Sequence, residues 1–576
     1  MTTLGERVVA ARGFRFRLDV QAIVFATLLG FLIFFILYPT IMIVVFSFHD
    51  GIPGQDFAFS FEGWRRALTE PNMRVSIVNT VVLLVTVQAI ALPIGVVVAW
   101  LIARTDMPGK RWLEFMFWIS FFLPTLSMTM GWIMCFDKQF GLFNKALMWL
   151  PFIDEAPLDI YSFSGIVWAH LFSHAISVKV TLLTPGFRNL DGSHEEASRI
   201  SGATRLQTLT RIVVPAMLPA ILVVEMIAAI RSMQAFEIEA ILGPPFDFYV
   251  YSTKIFNLLT LEPPDFGAAC ALAVMGLLII LPVIAVQRRL VARRHYATVT
   301  GKLQIQPTRL GRGRWPAFAL VFGLVLMLTV VPVVFALMAS FQKLVGFFDI
   351  EDPWTFGHWV RVWTEGAFTD AIANTMIMAT GCALLSIVVV TLVAYYIVRS
   401  KYPGRGLLDF LSWLPFAIPG ILFGLGLLMV FLGHKIFHPL YGTIWLMIFA
   451  QVVASLTLGT QIVRTNMMQL SAELEEASRI SGGNWAYTLR RIVLPIIVPV
   501  LLLVAVLNFI FAVRDVSTVA LLATKGTRTL SLLQLDYMMD GNYESAAVLS
   551  ILVVVLTTGV ALLARALGLR IGVRSG

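Results

Sequence analysis

The octapeptide Glu-Glu-Ala-Ser-Arg-Ile-Ser-Gly occurs twice without change, at 195–202 and at 475–482. Its residue types suit recognition better than bond-making. Glu195 and Arg199 stand four apart, as do Glu475 and Arg479. That spacing pairs opposite charges along one helix face. Ser193-x-x-Glu196 has the pattern of a capping box that starts the first helix. The second copy lacks the box, because Leu474 is the third residue after Ser471. Gly202 and Gly482 are placed to end a short helix and permit a sharp turn. A second short helix, about 204–211 or 484–491, then leads into an apolar run opened by Pro215 or Pro495. The expected shape is two short helices in an L, exposed, twice. Small Ala197, Ser198, Ala477 and Ser478 allow close approach to a partner's cleft, and the charges, Glu196 and Glu476 among them, fix orientation. The competing reading is a pair of amphipathic connectors that re-enter the bundle.

A second group of residues lies inside apolar runs, where ionisable side chains are costly and by default functional. These are His170, His174, Glu225 and Arg231, with Lys179 beside them. His170 and His174 are four apart on one helix face, a spacing able to hold a metal transiently. Interhelical hydrogen bonding, for instance to Glu225, or the lining of a wet cavity explains them as well. At an offset of 280 their counterparts are Ala450, Ala454, Ala505 and Phe511, and Gly459 matches Lys179, so the second wall reads as apolar. Arg231 and Lys179 sit near opposite ends of their runs and are expected to snorkel. Arg514 and Asp515 read as a local ion pair at the outer mouth. No convergent catalytic set is visible. A phosphate-binding G-x-x-x-x-G-K-[ST] is missing, since Gly109-Lys110 and Gly301-Lys302 lack the earlier glycine. Cys135, Cys270 and Cys382 form no C-x-x-C pair and read as packing residues, so no metal site is expected from them.

The elements that must carry these groups follow from composition. Of 576 residues, 58% are hydrophobic and 13% charged, against about 45–50% and about 25% in soluble domains. A mean hydropathy of +0.84 excludes a chain of soluble domains, a disordered chain and a charge-defined nucleic-acid binder. A bilayer core needs about 20 apolar residues as helix. Twelve segments qualify: 20–47, 77–103, 111–136, 162–185, 212–233, 267–287, 315–341, 371–398, 406–432, 441–464, 492–513 and 543–567. They must be helical, because lipid cannot satisfy a bare backbone. Pro93, Pro124 and Pro419 predict kinks. The net charge of +9 is mostly topology. Arginine and lysine gather before the first run, after the second and eighth, and along 288–314, which predicts both termini on the cytoplasmic side. The basic stretch reads as a linker on that side and not as a nucleic-acid or lipid patch.

The chain is also a duplication. Asn79-Thr80, Ala99, Arg104, Pro108-Gly109, Leu113, Phe115, Trp118 and Pro124 recur 295 positions on as Asn374-Thr375, Ala394, Arg399, Pro403-Gly404, Leu408, Phe410, Trp413 and Pro419. The octapeptide and the TLTRIVVP/TLRRIVLP segments behind it recur at 280. The sequence therefore divides into a first half, 1–290, a basic cytoplasmic linker, 291–314, and a second half, 315–576. The expected fold class is an all-α membrane protein, twelve transmembrane helices as two parallel six-helix repeats.

Each octapeptide loop, 189–211 and 469–491, resembles the EAA loop of the permease subunits of ATP-binding-cassette importers. The pattern is Glu-Ala-small, three residues, Gly, nine residues, Ile-x-x-Pro. It reads Glu196-Ala197-Ser198, Gly202, Ile212, Pro215 in one half and Glu476-Ala477-Ser478, Gly482, Ile492, Pro495 in the other. Serine replaces the second alanine of the core. A single chain holding both halves is similar to the fused ferric-iron permeases. The resemblance implies a type I importer permease in the inner membrane that is not itself an enzyme. It implies two cytoplasmic ATP-binding subunits docked on the loops, which hold the ATP and Mg, with no cofactor on this chain. It also implies a periplasmic substrate-binding protein. Ferric iron is the leading cargo, with aminoethylphosphonate, thiamine or polyamine as alternatives. An ion-coupled secondary transporter is the reading from a different class.

Overall fold

The structure is a computed structural model and describes residues 20–293, 307–348 and 350–568. The described residues are almost wholly helical, with isolated β-bridges such as His49 to Phe59 and Gln342 to Trp354 in place of strands. In the first half we label α1 (Val20–Phe46), α2 (Pro71–Arg104), α3 (Lys110–Phe122), α4 (Thr125–Phe136), α5 (Phe163–Asn189), α6 (Ser193–Ile200), α7 (Val214–Met233) and α8 (Phe266–Arg293). The second half repeats them as α9 (Gly311–Ser340), α10 (Gly366–Arg399), α11 (Arg405–Phe416), α12 (Gly420–Gly433), α13 (Ile444–Gln469), α14 (Glu473–Ile480), α15 (Leu494–Arg514) and α16 (Tyr543–Ala566).

The expected count of twelve is not reached among the described residues. Nine helices are long and apolar enough to cross a bilayer, or eleven if each bent pair is one span. The segments 111–136 and 406–432 are not straight crossings. Their chains turn by 101° between α3 and α4 and by 114° between α11 and α12. Pro124 and Pro419 are the N-caps of the second members, so a missing N–H and a fixed φ end one helix and start the next. Pro93, by contrast, lies inside an uninterrupted α2. The segment 267–287 falls in α8, which runs on to Arg293. Wide π-turns stand just before Pro39, Pro215, Pro332 and Pro495, where the ring blocks the regular hydrogen bond. Residues 294–306 of the expected linker lie outside the described residues, whereas Thr308 is pinned beside α2 by its N–H to the Arg104 carbonyl, 2.8 Å.

The first helix of each half packs on the other half. Phe25 of α1 stacks on Tyr402 and meets Tyr396 edge-on. The Tyr396 hydroxyl donates to the Gln21 carbonyl at 2.7 Å. The crossings are set by glycine. A Cβ on Gly426 of α12 would lie 2.9 Å from the Pro39 carbonyl oxygen, and one on Gly131 of α4 would lie 2.0 Å from that of Pro332 in α9. Gly131 and Gly426 are the same position at the 295 offset. The fold is thus two matched halves laced together by exchanged first helices.

Candidate functional site

Helices α2 and α10 each have 34 residues, about 51 Å of helix against a hydrocarbon core of about 30 Å. The surplus carries their last residues, Arg104 and Arg399, to the octapeptide loops. Arg104 donates from Nε and Nη2 to Glu195 Oε1, at 2.9 and 2.7 Å. Its Nη1 donates to the Leu190 carbonyl at 3.0 Å. Arg399 repeats the contact, with Nε 2.9 Å from Glu475 Oε1 and Nη2 2.7 Å from the Leu470 carbonyl. Leu190 and Leu470 correspond at the 280 offset. An arginine held by a carboxylate and a loop carbonyl fixes both the position and the tilt of the short helix.

In the second copy the expected pairing within the octapeptide forms, with Arg479 Nη2 3.8 Å from Glu475 Oε2, and Arg399 and the Tyr395 hydroxyl hold the same carboxylate more closely. In the first copy Glu195 turns inward to Arg104, and the side chain of Arg199 lies outside the described residues. The capping-box expectation fails. Ser193 is already the first residue of α6, and its N–H goes to Asp191 Oδ1 at 3.0 Å. In the second half Ser471 Oγ accepts from the Glu473 N–H.

The L-shape itself is present twice. Gly202 and Gly482 adopt φ of +80° and +86°, a left-handed turn that glycine enters without cost. Short helices Arg205–Thr208 and Trp485–Thr488 follow. Ser198 and Ser478, both buried, share hydrogen bonds with Thr208 and Thr488 at 2.9 and 2.8 Å. The serine that departs from the Glu-Ala-Ala core thus staples the two arms of the L. Glu196, Ala197, Glu476 and Ala477 face outward. Ile200 and Ile480, which the sequence reading did not single out, are each 87% exposed at the tips. Each loop presents an acid, a small residue and an apolar knob on a face held rigid from behind.

The membrane-embedded candidates fall into three places. His170 Nε2 lies 2.5 Å from Glu239, which is fully buried. Glu225 pairs with Lys179 at 3.4 Å, not with a histidine. Lys179 is fully buried, also donates to Gln88 and does not snorkel. His174 and Arg231 lie at the junction of the halves, beside the two bends. His174 contacts Thr125 Oγ1 and Arg514 Nη1, each at 3.4 Å. Arg231 places its guanidinium 5.2 Å from the Phe416 ring centre. The expected Arg514–Asp515 pair is absent. Asp515 accepts instead from Gln451 at 2.7 Å and from Thr518. The second wall is thus polar at the junction, though its polar groups do not sit at the positions that match the first. The two histidines diverge, and the described residues bring no three of His, Cys, Asp or Glu together as metal ligands.

The chain is 29% identical over 552 residues to the ferric transport system permease protein of Actinobacillus pleuropneumoniae, covering 91% of this chain and 75% of that one. It is 24% identical over 493 residues to an Fe(3+)-transport system permease protein of Haemophilus influenzae, covering 84% and 88%. The spermidine/putrescine transport system permease protein of Escherichia coli is 26% identical over 260 residues, 44% of this chain and 94% of that one. Two stretches, 91–296 and 387–573, match one family, each taking in an octapeptide loop. With most of its length in two copies of that unit, the chain belongs to the family of binding-protein-dependent transport system inner membrane components.

Proposed function

We propose that the chain is the permease of an ATP-driven importer and carries ferric iron from a periplasmic binding protein to the cytoplasm. The observation that carries the coupling role is the duplicated arginine-to-glutamate anchor behind an exposed face. Glu196, Ala197 and Ile200, with Glu476, Ala477 and Ile480, are held outward by anchors whose carboxylates, Glu195 and Glu475, are buried. Such a face transmits push and tilt without bending. On this reading one ATP-binding subunit seats on each loop, at Glu195 to Gly202 and at Glu475 to Gly482. Those subunits hold ATP and Mg and carry out hydrolysis. Their closure moves α6 and α14, and through Arg104 and Arg399 it moves α2 and α10. The halves then rock about the junction that holds His174 and Arg231. Both termini and the linker lie in the cytoplasm.

The cargo is that of the relatives that match along most of the chain, the ferric permeases. The polyamine permease matches under half of it. Two experiments test the reading. In proteoliposomes the chain with its ATPase and binding protein should accumulate radiolabelled ferric iron on addition of ATP, and not spermidine. Charge reversal at Glu196 and Glu476 together should leave the bundle folded and abolish uptake. Full uptake by that double variant rules out the docking role.

A further inference from the structure

Helices α7 and α15 end beside the bends of the opposite half. Gln234, the residue after α7, donates from Nε2 to the Phe416 carbonyl at 2.9 Å. Arg514, the last residue of α15, donates from Nη1 to the Phe121 carbonyl at 2.9 Å. Gln234 and Arg514 are the same position at the 280 offset, and Phe121 and Phe416 are the same position at 295. The two bonds are therefore one contact made twice, each time from one half to the other. Both acceptors lie just ahead of a proline bend, where the helix stops and its last carbonyls need outside donors.

A cation on an aromatic ring accompanies each bond. Arg231 sits 5.2 Å from the Phe416 ring centre, and its Nη1 steadies Gln234 Oε1 at 3.4 Å. Arg514 sits 5.8 Å from the Phe121 ring and 4.7 Å from that of Phe511. Phe511 stands where the first half has Arg231. The guanidinium has thus moved one helical turn along the same face, from 231 to the position matching 234. In the first half two residues hold the partner's bend, and in the second Arg514 does both jobs. The residues differ, and the contact is kept.

We infer that Gln234 and Arg514 are the paired latches of the gate, positioning residues that hold the two bends together and must let go when the halves separate. This rests on the rocking-permease reading above. A neutral hydrogen bond and a charge-assisted one differ in strength by about twofold, so the latches are unequal. Loss of the Arg514 side should loosen the closed gate on the order of tenfold, and loss of the Gln234 side less.

The test uses the assembled importer in proteoliposomes. Gln234→Cys with Phe416→Cys, and separately Arg514→Cys with Phe121→Cys, are treated with a short bifunctional thiol reagent at rest and after vanadate trapping with ATP. The native cysteines are buried and stay silent. Cross-linking of both pairs in one state and its loss in the other supports the latch. Equal yield in both states overturns it. As an independent arm, Arg514→Leu should raise ATP hydrolysis in the absence of binding protein on the order of tenfold, with Arg514→Lys restoring it toward wild type. Unchanged hydrolysis in a folded Arg514→Leu importer also overturns it. If wild-type hydrolysis does not respond to the binding protein, the coupled-importer reading itself falls; if wild type responds and the pairs do not part, only the latch falls.

Discussion

Replacing Glu195 by alanine removes one carboxylate and leaves Arg104 with its charge in a place water does not reach. The two side chains are 1% and 9% exposed. Removing one partner of a buried pair costs about 3–5 kcal/mol. The Leu190 carbonyl still takes one of the three bonds, so the lower figure applies. About 3 kcal/mol corresponds to roughly a hundredfold loss in the population of correctly seated α6. The second anchor should be gentler. Arg399 is 17% exposed and keeps the Leu470 and Met467 carbonyls, so Glu475→Ala lets water and backbone make up more of the loss. The neighbouring acid separates structure from docking, since Glu196→Ala touches only an exposed site, where stability changes stay within about 0.5 kcal/mol. The assay is uptake per ATP hydrolysed in proteoliposomes, with the thermal midpoint of the purified chain alongside. Glu195→Ala should lower both readouts, and Glu196→Ala the first alone. Arg104→Met with Glu195→Leu, which removes both charges and keeps bulk, should recover the midpoint. If Glu195→Ala transports within twofold of wild type, the anchor does not position the loop.

Lys179→Met leaves Glu225 without its cation inside the bundle and should destabilise by about 3 kcal/mol, largely recovered by adding Glu225→Gln; chemical unfolding in detergent measures both. Gly131→Ala drives a methyl against the Pro332 carbonyl and should lower the thermal midpoint more than Gly426→Ala, whose nearest atom is farther. Ser198→Ala should cost about 1 kcal/mol by opening the L, read as faster amide exchange in α6. Burial pushes the Asp137 carboxyl above its ordinary 3.8, against the opposing pull of the Gln139 and Phe140 N–H donors. Folding thus favours its protonated form, a contribution present below the ordinary value and lost as pH rises through the folded one. Asp137→Asn keeps an acceptor and should flatten the loss of stability as pH rises above the ordinary 3.8; an unchanged slope would show that Asp137 does not set it.

The loops were legible because eight residues recur unchanged within one chain. On the docking role proposed above, such a face must keep its acid, its small residue and its turn glycine in register. Which of the two adjacent acids faces out was not legible, since both lie on one helix and only tertiary contact with Arg104 decides. Arg104 and Arg399 were visible as repeated residues, but charge counting assigned them to membrane orientation. Glu239, the buried partner of His170, was not legible either, since only tertiary packing brings the two together. The match of Gln234 with Arg514 escaped because the two halves reach the same contact with different side chains. Proline marked the bends, but a proline alone does not distinguish the uninterrupted helix at Pro93 from the right-angle turns at Pro124 and Pro419. The exchange of first helices leaves no periodic trace, because a helix facing lipid and a helix facing a neighbour are both apolar.

That exchange sets a schedule for biosynthesis. The seat of α1 includes Tyr396, which lies 375 residues after the Gln21 carbonyl it binds. At about 5–20 residues per second, the leading helix waits about 20 to 75 s in the membrane before its berth is made. Its mean hydropathy of 2.7 lets it wait dissolved in lipid as a single rod, and the closing helices of the nascent chain then find it already in place.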